Sequence, residues 1–109
     1  MDTLEKRKGQ KLSKSFWMLK LNPTKEALGF WNSLDAKQYR QIGRKVLSLL
    51  LDPHPNDSAP LIGHPEYFRV DFGEYRIIYR VEDDTIKLTL IGLRNDGDIY
   101  KKLKRKLAG

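Results

Sequence analysis

The chain has no cysteine, which excludes disulfides and thiolate metal sites. Its two histidines, His54 and His64, each stand beside a proline in turn-like sequence, so a histidine-based metal site is not expected. No apolar run approaches the roughly 20 residues that a membrane span requires, and the first residues lack the apolar core of a secretory signal. A cytoplasmic protein with no membrane partner is expected. Acidic residues are scarce relative to basic ones: 14 Asp and Glu against 21 Lys and Arg give a net charge of +7. That excess favours association with anions, whether nucleic acid or an acidic protein, and does not bear on the fold. At 109 residues the chain is long enough for one domain with a real core and too short for two.

What the sequence does have is a β-rich block from Leu61 to Tyr100. Phe68, Val70 and Phe72 alternate with Arg69 and Asp71, the period of a half-buried strand over Tyr67 to Phe72. Gly73-Glu74 interrupts the pattern. Tyr75 to Val81 resumes it, with Tyr75, Ile77, Tyr79 and Val81 on one face and Arg76, Ile78 and Arg80 on the other. Glu82-Asp83-Asp84 reads as a polar turn and Ile86 to Leu93 as a third strand. The block is an antiparallel meander with arginines set among its apolar positions. Burying an unpaired guanidinium is costly, so several on one sheet suggest a surface that holds an anion. Tyr75 and Tyr79 are expected in the core, and Arg80 in a salt bridge to a neighbouring carboxylate.

Upstream, Met1 to Ser15 reads as a basic arm carrying Lys6, Arg7, Lys8, Lys11 and Lys14, and residues 16–109 as a single domain. Phe16 to Leu21 is expected to be the first strand. Asn22-Pro23 signals a helix start, with Asn22 as N-cap and Pro23 in the first turn. Ala27, Leu28, Trp31 and Leu34 give that helix its apolar face. Asp35 caps a second helix whose stripe is Tyr39, Ile42, Val46, Leu49 and Leu50, with Gly43 on the same side for close packing. Asp52-Pro53 ends it, and His54 to Pro60 reads as a loop. Downstream, Ile99 to Leu107 spaces Ile99, Leu103 and Leu107 as the inner side of a short helix. Its outer side is Lys101, Lys102, Lys104, Arg105 and Lys106, with no compensating acid and suited to phosphate. The fold class is α/β of the α+β kind. A small antiparallel sheet has an N-terminal strand, a helical hairpin on one face and a short basic C-terminal helix.

Several stretches of this order are shared with a known family: Leu61-Ile62-Gly63, Tyr67-Phe68-Arg69-Val70, Gly73-Glu74-Tyr75-Arg76-Ile77-Ile78-Tyr79, and Ile91-Gly92-Leu93-Arg94 with Tyr100 six residues on. Through them the chain, from Phe16 to Leu107, resembles the RelE/ParE superfamily of toxins from toxin–antitoxin systems. The resemblance implies a compact toxin neutralised by a cognate antitoxin in a hetero-oligomer, the antitoxin being acidic or amphipathic and lying over the helix hairpin and the basic C-terminal segment. In the RelE branch the toxin enters the ribosomal A site and cuts mRNA; in the ParE branch it poisons DNA gyrase.

RelE-like cleavage is a transesterification in which the ribose 2′-OH attacks the adjacent phosphate and the 5′-oxygen leaves. It needs proton movement at both oxygens and positive charge around the transition state. By resemblance, Arg76 and Arg94 fall on the family's catalytic arginines and Tyr100 on its catalytic tyrosine, while Arg69, Lys101, Lys102, Lys104 and Arg105 would contact RNA phosphates. Guanidinium stays protonated and so supplies charge; a phenol oxygen can take the 2′-OH proton or its ring can stack on a base. Where the best-known members carry a second basic residue on the first meander strand, this chain has Asp71, which would repel the phosphate, act as a base or pair with an arginine. No histidine follows His64, so the Glu and C-terminal His of other ribonuclease branches have no counterpart. The expectation is a ribosome-dependent endoribonuclease needing no metal or other cofactor, with a gyrase inhibitor lacking its own chemistry as the alternative.

Overall fold

The computed structural model describes residues 18–95 and 97–109; the expected basic arm and Phe16-Trp17 lie outside them. The elements in order are β1 (Lys20–Pro23), α1 (Lys25–Asn32), α2 (Ala36–Leu51), β2 (Ser58–Leu61), β3 (His64–Phe72), β4 (Tyr75–Glu82), β5 (Thr85–Leu93) and α3 (Asp98–Ala108). Five strands form one sheet in the order β1-β5-β4-β3-β2. β1 runs parallel to β5, and every other pair is antiparallel. The α+β architecture expected from the sequence is the one observed. No described helix is long and apolar enough to cross a membrane.

Two local expectations are corrected. Asn22 and Pro23 belong to the first strand, not to a helix, and the N-cap is Thr24. The Thr24 hydroxyl accepts from Ala27 N at 3.1 Å and donates to the Thr89 carbonyl at 2.7 Å, while Thr24 N–H donates to Leu88 O at 3.0 Å. One residue thus ends β1, starts α1 and ties both to β5. Downstream, the stretch read as a loop contains a strand, because Ser58 to Leu61 pairs with β3. Pro60 is tolerated there because β2 is an edge strand, where a missing N–H faces away from the ladder.

The helix hairpin covers one face of the sheet. Ala27 of α1 and Ile42, Val46, Leu49 and Leu50 of α2 pack on Val70, Ile77, Tyr79, Ile86 and Leu88. Full burial of such side chains is worth about 1.5–3 kcal/mol each. Tyr79, the largest fully buried side chain, also donates its hydroxyl to Pro53 O at 2.7 Å, so its polar atom is satisfied. A Cβ on Gly43 would stand 3.5 Å from Trp31 Cζ2, the close packing the sequence suggested. Tyr39 and Leu28, read as inward, are exposed. Tyr39 instead lies against the Trp31 ring at 5.5 Å, and Phe30 packs against the core.

The other face carries α3 on a smaller cluster of Leu61, Ile78, Leu90, Ile99 and Leu103. Contact is tight at one point, where a Cβ on Gly92 would meet Ile99 Cδ1 at 3.2 Å. Leu107, expected to face inward, is exposed.

Asp35 caps α2 as its sequence position suggested, its carboxylate accepting from Gln38 N at 2.9 Å. Asp35→Ala leaves that N–H without its partner and is expected to lower stability by about 1 kcal/mol. Urea denaturation, with an unchanged slope, is the measurement that checks it.

Candidate functional site

The site starts from a hairpin. β3 and β4 are joined by Gly73-Glu74, with Phe72 opposite Tyr75 and Gly73 at φ +60°, the left-handed backbone that two-residue hairpin turns require. That register sets Asp71 directly opposite Arg76. Arg69 precedes Asp71 by two residues, so both side chains leave the same face. β5 ends alongside, and the Arg94 backbone N–H donates to Glu74 O at 2.9 Å, which brings Arg94 to the same corner. α3 then crosses this face and delivers Tyr100 from its first turn.

Three arginines converge on Asp71, and Tyr100 meets one of them. Arg76 grips its carboxylate with two parallel bonds, Nε to Oδ1 at 2.6 Å and Nη2 to Oδ2 at 3.0 Å. Arg69 Nη1 and Arg94 Nη1 each lie 3.9 Å from Oδ2, close enough for attraction and too far for a hydrogen bond. Arg76 Nη1 donates to Tyr100 Oη, and the guanidinium carbon stands 5.7 Å from the centre of that ring. The expected trio of Arg76, Arg94 and Tyr100 is therefore assembled, with Arg69 beside it. Of the three fates open to Asp71 in the sequence, pairing with an arginine is the one observed.

Asp71 has its carboxyl held below the usual range, first by the hydrogen bonds from Arg76, against a smaller opposing effect of burial. Arg76 is correspondingly pushed above its usual value, first by the hydrogen bond to Asp71. Because the folded pKa of Asp71 is depressed, its contribution to stability is complete above the unfolded value of about 3.9. It is lost as pH falls through the lower folded value. Wild type and Asp71→Asn should therefore differ in urea midpoint at neutral pH and converge on the acid side of about pH 4.

An open groove of about 470 Å³ adjoins the cluster. It is lined by the apolar Pro60, Leu61, Ile62 and Leu103 and by Arg69, Tyr100, Lys104 and His64. The expected phosphate contacts divide here. Arg69 and Lys104 line this groove, Lys101 is simply exposed, and Lys102 and Arg105 line a separate hollow of about 350 Å³ with Glu26 and Lys106. Nor does α3 lack compensating acid: Lys102 pairs with Asp98 at 3.2 Å and Lys106 with Glu26 at 2.9 Å. Arg80 pairs with Glu82 at 3.2 Å, as its place in the meander suggested. Sequence reasoning did not single out Leu61, His64 and Leu103 as groove residues. The helical spacing of Ile99 and Leu103 carried a signal for Leu103; Leu61 and His64 precede the alternation that begins at Tyr67. Among the described residues no cluster of His, Cys, Asp and Glu could hold a metal ion.

The family model for the ParE toxin of the type II toxin–antitoxin system parDE matches residues 21–100. No curated protein matches the chain. Among solved structures it is similar to the RelE–RelB complex of Pyrococcus horikoshii, at 26% identity and a TM-score of 0.63, covering 71% of this chain and 96% of that one. It is also similar to a mutant of Escherichia coli RelE in the free state, at 22% identity and a TM-score of 0.68, covering 81% and 97%. A third similar structure is the RelBE2 toxin–antitoxin complex of Mycobacterium tuberculosis, at 20% identity and a TM-score of 0.63, covering 72% and 94%. With the last two the likeness is one of fold.

Proposed function

The chain belongs to the ParE toxin family of type II toxin–antitoxin systems, and from the geometry of its site we propose that it acts as the RelE branch does and cuts mRNA in the ribosomal A site. The observation that carries this reading is the bond from Arg76 to the Tyr100 oxygen, made beside Arg94 at the edge of an open groove. In this reaction the Tyr100 oxygen takes the proton of the 2′-OH and passes its own to water. The 2′-oxygen bonds to phosphorus, the bond to the 5′-oxygen breaks, and water protonates the leaving oxygen. The products are a 2′,3′-cyclic phosphate and a 5′-hydroxyl. The Arg76 N–H donated to the phenolic oxygen holds that oxygen in place while the proton moves. Arginine charge at the phosphate opposes the charge that accumulates in the transition state. The ribosome would supply the remaining order by holding the codon in place.

The test is primer extension on a defined mRNA with stalled ribosomes and purified protein. Cuts inside the A-site codon, absent on naked mRNA, support the reading. Intact mRNA together with trapped double-strand breaks in gyrase-treated plasmid overturns it in favour of a gyrase poison. That second reading has its own support, since the matching family model is that of ParE and Asp71 neutralises part of the arginine charge.

The RelE structures similar to this chain include complexes with RelB, and a cognate antitoxin is proposed here too. Its place would be the helix hairpin, where Leu28, Tyr39, Leu47 and Leu51 are exposed. An acidic flank of the antitoxin would meet α3.

A further inference from the structure

We infer that Asp71 is the positioning residue of the site: it locks Arg76 against Tyr100 and leaves Arg69 and Arg94 as the guanidiniums that take the phosphodiester. This rests on the endonuclease reading and divides labour within it. A guanidinium has two edges suited to a two-oxygen anion, and the better directed one is the Nε–Nη2 edge. On Arg76 that edge is already filled by Asp71, at 2.6 and 3.0 Å. The remaining nitrogen, Nη1, is turned to Tyr100 Oη. Arg76 is also the most enclosed of the three, with 16% of its side chain exposed against 38% for Arg69 and 47% for Arg94. It is a strut between a carboxylate and a phenol.

Arg69 and Arg94 are placed differently. Each has Nη1 at 3.9 Å from the same carboxylate oxygen, attracted but not bonded, so neither must break a hydrogen bond to accept a phosphate. They flank Asp71, and Arg69 also lines the groove. The carboxylate sets the charge balance as well. Three guanidiniums and one carboxylate leave the cluster at +2, which a dianionic phosphorane neutralises and a monoanionic phosphodiester does not. Charge matched to the transition state, and not to the bound substrate, is what raises a rate. A basic residue in place of Asp71 would hold the substrate more tightly and abandon that match.

The experiment uses the full chain labelled with ¹⁵N, inorganic phosphate as the probe, and the arginine Nε–Hε resonances as the readout. Arg69→Lys, Arg76→Lys and Arg94→Lys assign the peaks. In the wild type the Arg69 and Arg94 peaks should move on one phosphate isotherm while the Arg76 peak stays fixed. In Asp71→Asn the Arg76 peak should shift at once and then respond to phosphate. An Arg76 peak that follows phosphate in the wild type overturns the assignment, and this arm stands even if Asp71→Asn does not fold. On ribosomes, Asp71→Asn should lower kcat at least tenfold with KM unchanged or reduced, whereas a rise in KM alone counts against a positioning role. If phosphate moves Arg69 and Arg94 but the wild type cuts no mRNA, the endonuclease reading fails and the assignment of the arginines survives.

Discussion

Tyr100→Phe should reduce A-site cleavage by about 10²–10⁴-fold while leaving the thermal midpoint unchanged. The substitution removes one oxygen from a partly exposed side chain at the start of α3, so no packing is lost. What disappears is the atom that accepts the Arg76 N–H and, in the proposed reaction, the 2′-OH proton. Arg94→Ala should behave alike, at about 10²–10³-fold, because a half-exposed guanidinium held only by attraction to Asp71 contributes little to folding. Single-turnover cleavage on stalled ribosomes, with circular dichroism melting of each variant, is the measurement. Cleavage at the wild-type rate in either variant would remove that residue from the chemistry.

Leu103→Ala should lower cleavage as far as Tyr100→Phe does, by a different route. α3 has 11 residues, a length that is marginal for an isolated helix in water, and nearly all its outward positions are basic. Its hold on the sheet is the small cluster around Ile99 and Leu103. Truncating a buried leucine costs about 2–5 kcal/mol, and here the loss falls on the docking of one helix. Amide exchange should therefore quicken through α3 while β3, β4 and β5 keep their protection. Tyr100 then leaves Arg76, and activity falls as it does in Tyr100→Phe. Ile77→Ala is the contrasting variant. It also costs about 2–5 kcal/mol, but it sits in the main core under the hairpin, so every strand should lose protection together.

The sequence made the meander legible because its period-2 alternation is local, and the turn at Gly73-Glu74 even fixes the register that puts Asp71 opposite Arg76. The N-terminal boundary was not legible. Asn22 and Thr24 are both good caps and Pro23 suits either a helix start or an edge strand, so local chemistry gives a tie. The tie is broken by pairing with β5, far along the chain. β2 was hidden for a similar reason. Ser58-Ala59-Pro60-Leu61 has the composition of a loop, and only β3 beside it makes it a strand. In the site, the resemblance named Arg76 and Arg94 equally, yet three dimensions distinguish them. One is hydrogen-bonded twice to a carboxylate, and the other is only attracted to it across 3.9 Å.

The parallel pairing of β1 with β5 also dictates when the molecule can come into being. Thr24 and Thr89, joined across that pair, are 65 residues apart, and β5 cannot be paired until most of the chain has been synthesised. Contacts of such long range form late, after the closure entropy of the intervening chain has been met. Tyr100 follows later still, on a helix that needs β5 and β4 beneath it. A nascent chain therefore carries its arginines out of the ribosome well before it carries a finished site. Whatever harm the folded protein does must wait until β5 and α3 have both emerged and docked.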